Sequence, residues 1–128
     1  MPSDSFHEAA DALSEETRDL HRAIQSLMEE LEAVDWYQQR VDATKDADLK
    51  AILGHNRDEE IEHAMMVLEW IRRRVPAFDE HAKTYLFTKG PITEMEKAEK
   101  SEKSGGGGDP SPVPRSGLDV GSLKGGRK

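Results

Sequence analysis

The stretch Arg57-Asp58-Glu59-Glu60-Ile61-Glu62-His63-Ala64-Met65-Met66 decides the fold, because it sets a carboxylate and an imidazole where a core-facing helix should be apolar. The flanking apolar positions Leu49, Leu53, Val67 and Trp70 recur at helical spacing, and alternating steps of three and four carry the same seam through Asn56, Glu60 and His63. Glu60 and His63 are therefore expected on the inward face. An unpaired charge buried there costs on the order of several kcal/mol, so the pair needs a compensating partner such as a cation. Glu-x-x-His at i, i+3 is the unit with which four-helix bundles hold two iron or manganese ions, one unit on each of two helices and a lone Glu on each of the others. In this inward setting the chain carries the unit once.

Upstream, the positions Leu13, Thr17, Leu20, Ile24, Leu27, Leu31, Val34, Gln38 and Val41 alternate strictly by four and three, with Ser5 or Ser14 suited to cap the helix they define. Such a heptad seam needs a partner helix along its length. Beside it lie Glu29, Glu30 and Glu32, followed by Trp36 and Tyr37. Taken alone these glutamates read as a solvated face; with Glu60 and His63 in the chain, Glu30, on the flank of the stripe, becomes the candidate lone bundle Glu. Val41 to Asp48 reads as a short polar connection with Thr44 or Asp46 capping the second helix, and short connections make antiparallel neighbours. Glu30 lies some eleven residues before that loop begins at Val41 and Glu60 some sixteen after its middle at Thr44, a similar depth to within about two turns at ~1.5 Å per residue.

The second helix is expected to end at Arg72-Arg73-Arg74-Val75-Pro76. A nucleic-acid reading of the arginines exists, but cations near the negative end of a helix dipole account for them. A third, shorter helix is expected from Asp79 to Leu86, stopped by Lys89-Gly90-Pro91. Ile92 to Lys103 is nearly all charge and Ala, a helix either frayed or docked by Ile92 and Met95 only. Residues 1–100 thus form a helical domain. Residues 101–117 form a linker whose run Gly105 to Pro114 cannot pack. In the tail, residues 118–128, Leu118, Val120 and Leu123 read as anchors offered by an extended peptide to a groove on another protein; the bland reading is a disordered end with three incidental apolar residues.

Composition narrows the chemistry. Hydrophobic residues make up 35% and charged ones 34% of 128, which suits amphipathic helices that find their core by association. Residues 101–128 hold five Lys or Arg against three Asp or Glu, which leaves 13 against 23 in residues 1–100, a body of net −10. Such a surface attracts cations and disfavours nucleic acid. With no cysteine, carboxylate and imidazole are the strong ligands available. The polar start, Met1 to His7, carries no signal sequence or membrane span, so a cytoplasmic protein is expected. One hairpin supplies half of a dinuclear centre. Two copies about a two-fold axis supply the whole set and bury both seams in a four-helix bundle. Each metal is then expected on Glu60 and His63 with Glu30 bridging; oxygen donors plus one imidazole favour iron or manganese, with zinc competing.

The runs Met28-Glu29-Glu30-Leu31-Glu32-Ala33-Val34-Asp35-Trp36-Tyr37, His55-Asn56-Arg57-Asp58-Glu59-Glu60-Ile61-Glu62-His63-Ala64 and Thr84-Tyr85-Leu86-Phe87-Thr88-Lys89-Gly90-Pro91-Ile92-Thr93 together resemble the encapsulated ferritins. The likeness covers about residues 7 to 97, and the tail Leu118 to Gly125 resembles the peptides that target cargo to encapsulin shells. The resemblance implies an all-α subunit, an antiparallel two-helix hairpin plus a short C-terminal helix, that dimerises into a ferritin-like bundle. It implies a ferroxidase, with a di-iron centre of two iron ions per dimer, and dimers assembled into an open decameric ring inside an encapsulin nanocompartment that stores the iron. By the same resemblance Glu30, Glu60 and His63 are the iron ligands and Tyr37 lies beside them, while Glu29, Glu32 and Trp36 form an outer site for incoming metal. Two other readings fit the residues: a catalytically silent metal-binding oligomer, and a helical adaptor tethered by its C-terminal peptide. Of the remaining histidines, His55 is expected to support the inner face, and His7, His21 and His81 to be surface or structural.

Overall fold

Ser14 opens the first long helix as its residue type suggests: its Oγ accepts a hydrogen bond from the Thr17 N–H at 3.1 Å, and Glu15 and Glu16 follow in the first turn, where acidic side chains oppose the helix dipole. In the computed structural model, which describes residues 6–105, this helix, α1, runs Glu15–Ala43, preceded by a single 3₁₀ turn, Ala10–Ala12. Ser5, the rest of the linker and the tail residues Leu118, Val120 and Leu123 lie outside the described residues.

The connection to the second helix, α2 (Ala47–Arg74), is only Thr44 to Asp46. Thr44 closes α1 through its N–H on the Arg40 carbonyl at 3.0 Å, and its Oγ1 accepts from Asp46 N–H at 3.2 Å. Asp46 in turn caps α2, accepting from Leu49 N–H at 2.8 Å. The division of labour left open between the two residues is thus settled: one ends a helix and the other begins the next. Because Val41 to Ala43 and Ala47 to Asp48 are helical, the loop is shorter at both ends than the polar run suggests. Glu30 is thirteen residues before the end of α1 at Ala43 and Glu60 thirteen after the start of α2 at Ala47, so the two carboxylates are level.

The described chain divides into two units after Ile71. The first holds the hairpin of α1 with most of α2. Its antiparallel register is set out by Arg57 bonding Gln38 and, deeper in, His63 beside Glu30. Along α1 the seam residues Leu20, Leu27, Val34 and Val41 are half-buried, whereas Ile24, Leu31 and Gln38 of the same seam are exposed. On α2, Ala64 and Ile71 are the deepest positions, 1% and 0% exposed. Each stands one residue beyond the expected His63 and Trp70, so the inward face is rotated slightly past the predicted line.

In the second unit Val75 is buried at 7% exposure and α3 spans Pro76–Tyr85, three residues earlier than the expected Asp79. Pro76 is its first residue, where a missing N–H costs nothing and a fixed φ is already helical. The residue read as a stop also serves as a start. Asp79 pairs with Arg72 and with Lys83 at 3.1 Å. Phe87 holds φ 63° and Gly90 φ 92° in the turn leading to α4, Ile92–Gly105. This last helix is docked, and not by Ile92, which is 68% exposed: Thr84 donates to Glu99 Oε2 at 3.2 Å, and His81 Nδ1 stands 3.8 Å from the same oxygen. The fold is all-α among the described residues. No described helix is long and apolar enough to cross a membrane.

Ala64, Ile71 and Val75 are the buried apolar residues among those described. For about a hundred residues that is very little core, since a domain of this size normally buries well over half of the surface its unfolded chain exposes. Ile24, Met28 and Leu31 on α1 and Leu49, Ile52, Ile61, Met65 and Met66 on α2 are left exposed.

Candidate metal centre

Glu30 comes from the middle of α1, and Glu60 and His63 from successive turns of α2, so the hairpin register alone brings them together. One ligand atom from each lies within 4.8 Å of those of the other two, the one such group among the described residues. His63 Nδ1 is 3.3 Å from Glu60 Oε1 and 3.7 Å from Glu30 Oε1. The carboxylates are about a quarter exposed and the imidazole 44%, which leaves the group open on one side rather than sealed in one chain.

Two carboxylates in contact repel unless something neutralises one of them. Here a hydrogen bond between the two carboxyl groups eases it. Glu30 is pushed above its ordinary 4.5 chiefly because its carboxyl hydrogen-bonds Glu60, with burial acting the same way. Glu60 is held below the ordinary value by that same bond, and by His63, against burial. For stability the two oppose each other: the Glu30 contribution is present in acid and lost as pH rises through its folded pKa, while that of Glu60 is present above its ordinary value and lost as pH falls through its lowered one. Metal binding reads the pair without this cancellation. A cation that engages both oxygens must expel the proton, so affinity for zinc is expected to fall in acid, by up to about tenfold per pH unit once below the raised Glu30 value. Calorimetry in buffers of different ionisation enthalpy should show proton release on binding; an affinity that does not fall as pH is lowered toward the carboxylate range, or binding without proton release, would contradict this reading. The donor set of two hard carboxylates and one imidazole fits iron, manganese or zinc.

The other expected residues are placed as follows. Tyr37 is half-buried, with the Arg40 guanidinium 5.5 Å over its ring. Glu29 and Trp36 are exposed and Glu32 half-buried, spaced three and four apart on a face of α1 turned away from the Glu30 flank. His55 does not support the inner face: its side chain is 70% exposed, with Nε2 3.7 Å from Glu59 Oε2. Glu59 was missed, although it also approaches His63 Nε2, at 3.9 Å. The i, i+4 spacing of His55, Glu59 and His63 carried that signal. His21 meets Phe6 edge-on, ring centroids 4.8 Å apart.

A helical hairpin with one Glu on one helix and a Glu-x-x-His on the other, and with its apolar seams half-covered, is the half-bundle from which carboxylate-histidine metal proteins are built. The chain belongs to the EncFtn-like family, whose signature matches residues 5–89. It is 56% identical over 126 residues to the encapsulated ferritin-like protein of Rhodospirillum rubrum, covering 96% of this chain and 90% of that one. It is 40% identical over 115 residues to the encapsulin nanocompartment cargo protein EncC of Myxococcus xanthus, covering 83% and 85%. A crystal structure of a Nitrosomonas europaea protein superimposes with a TM-score of 0.66 at 68% identity, covering 68% of this chain and 96% of that one.

Proposed function

We propose that this protein is a ferroxidase whose di-iron centre forms across a dimer, and that it works as cargo of an encapsulin nanocompartment in iron storage and detoxification. The observation that carries the reading is the open cluster of Glu30, Glu60 and His63 on a hairpin that leaves Ile24, Met28 and Leu31 exposed. A second copy about a two-fold axis supplies the missing ligands and covers the missing core together, giving two iron ions per dimer. Glu60 and His63 would hold an ion, with Glu30 as the ligand shared between the two. The carboxylates would favour the higher charge of the ferric product; the two electrons released by two ferrous ions, with two protons from water, would take dioxygen to hydrogen peroxide or peroxide to two waters. No side chain is needed as a general base. Tyr37 flanks the centre, and Glu29, Glu32 and Trp36 are assigned to an outer site where metal is first taken up. Dimers assemble further into a decameric ring, and Leu118, Val120 and Leu123 seat the tail on the shell interior, which places the protein in the cytoplasm within the compartment. The encapsulated and cargo names of the R. rubrum and M. xanthus relatives support the shell-cargo part of this reading.

The test is native mass spectrometry with and without ferrous iron, alongside oxygen or peroxide consumption. Iron in multiples of two per dimer, with turnover, is the expected result. Tight metal binding without turnover would instead establish the silent metal-binding reading, and no metal at all the adaptor reading. Deleting residues 118–128 should abolish loading into co-expressed shells and leave oxidation within about twofold of the full chain, as for other changes remote from a site. Loss of both would show that the tail belongs to the fold.

A further inference from the structure

We propose, resting on the centre assigned above, that Arg57 is a positioning residue which locks the rotation of α2 through Gln38 so that Glu60, and no neighbouring carboxylate, meets Glu30. Gln38 stands at a seam position of α1 where an apolar residue would be expected, and Asn56-Arg57 interrupt the seam of α2 between Leu53 and Glu60. These two defects face each other. Arg57 Nη1 donates to Gln38 Oε1 at 2.8 Å across the hairpin, while Nε and Nη2 both donate to Asp58 Oδ1, at 3.1 and 3.0 Å. Gripped on two edges and only 27% exposed, the planar fork has one orientation, which a flexible ammonium would lack. Gln38 is eight residues from Glu30, and Arg57 three from Glu60, so the lock sits on the loop side of the ligands, about one to two turns away.

The reason such a lock is needed lies in α2 itself. The three-residue loop limits axial slippage but leaves the helix free to turn about its own axis. Among the described residues of α2, hydrophobic burial fixes this rotation chiefly through Ala64 and Ile71, since Ile52, Ile61, Met65 and Met66 are apolar and exposed and spread around the helix at its natural spacing. A turn of about one residue position would offer Glu59 in place of Glu60, and Glu59 already approaches His63. A directional bond between the half-buried Arg57 and the exposed Gln38 resolves such degeneracy, because it forms at one rotation of α2 and not at its neighbours.

The test uses the full chain and anaerobic cobalt(II) as the probe, followed by its visible absorption. Arg57→Met and Gln38→Leu are each expected to weaken cobalt binding by about 10- to 100-fold, the range for residues that orient ligands, with thermal midpoint and helix content near those of the parent. The double variant should bind no more weakly than either single one, since both break the same bond. Gln38→Glu, which keeps an acceptor for Arg57, should stay within about threefold of the parent. Cobalt affinity unchanged in Arg57→Met, or a loss that only tracks a falling thermal midpoint, would overturn the lock while leaving the centre intact. A parent chain that binds no cobalt would overturn the centre itself, and the lock with it.

Discussion

Glu60→Ala is expected to abolish ferrous-iron oxidation, by about a hundredfold or more, while the helices and their melting behaviour stay close to those of the parent. The magnitude follows from its place: outer-shell partners of a metal commonly cost 10- to 100-fold, and a ligand should cost at least the upper end of that range. Glu60 hydrogen-bonds Glu30 and stands 3.3 Å from the His63 ring, so its removal deletes one ligand together with its contacts to the other two. The stability effect should be small and of either sign, within roughly 1 kcal/mol, because the side chain is a quarter exposed and one of two like-charged groups is relieved. His63→Ala should lose oxidation to a similar extent with less effect on Glu30. Anaerobic cobalt titration separates loss of binding from loss of turnover. An Ala variant that binds and oxidises iron as the parent does would remove Glu60 from the centre altogether.

What could be read from the residues, and what could not, divides along physical lines. The two long helices were legible because seams repeating by three and four persist for about eight turns in the first and about six in the second, and the candidate site was legible because Glu60 and His63 break that seam with groups that need a partner. Their level match with Glu30 came out cleaner than expected, since Val41 to Ala43 continue α1 and shift the loop. Ala64 was not singled out: with a single methyl group it carries a weak hydrophobic signal, yet small size is what lets it lie 1% exposed. The start of α3 was hidden by Pro76, which punctuates in both directions. For α4 the choice between frayed and docked stayed open, because Glu99 docks it through Thr84 and His81, polar contacts that hydrophobic periodicity does not register. The left-handed Phe87 had no sequence signal at all, since a bulky residue is the last expected at positive φ.

Leu31→Lys should have the other large effect: loss of the dimer and, with it, of all tight metal binding. In a lone hairpin the substitution is nearly neutral, since Leu31 is 51% exposed and surface changes usually fall within about 0.5 kcal/mol. Across a two-fold interface the same position is buried once in each copy. An ammonium there loses its hydration without a partner and meets its symmetry mate, a cost of several kcal/mol per dimer, which is roughly a thousandfold or more in dissociation constant. Gln39→Lys, equally charged but at an exposed position outside the seam, serves as the control and should leave the dimer intact. Sedimentation read beside cobalt binding then distinguishes two architectures. If the centre is shared, the two losses coincide at every protein concentration, and raising the concentration restores both together. Monomers of Leu31→Lys that keep full affinity would mean that Glu30, Glu60 and His63 of one chain suffice, so that the exposed seam serves some purpose other than completing the site.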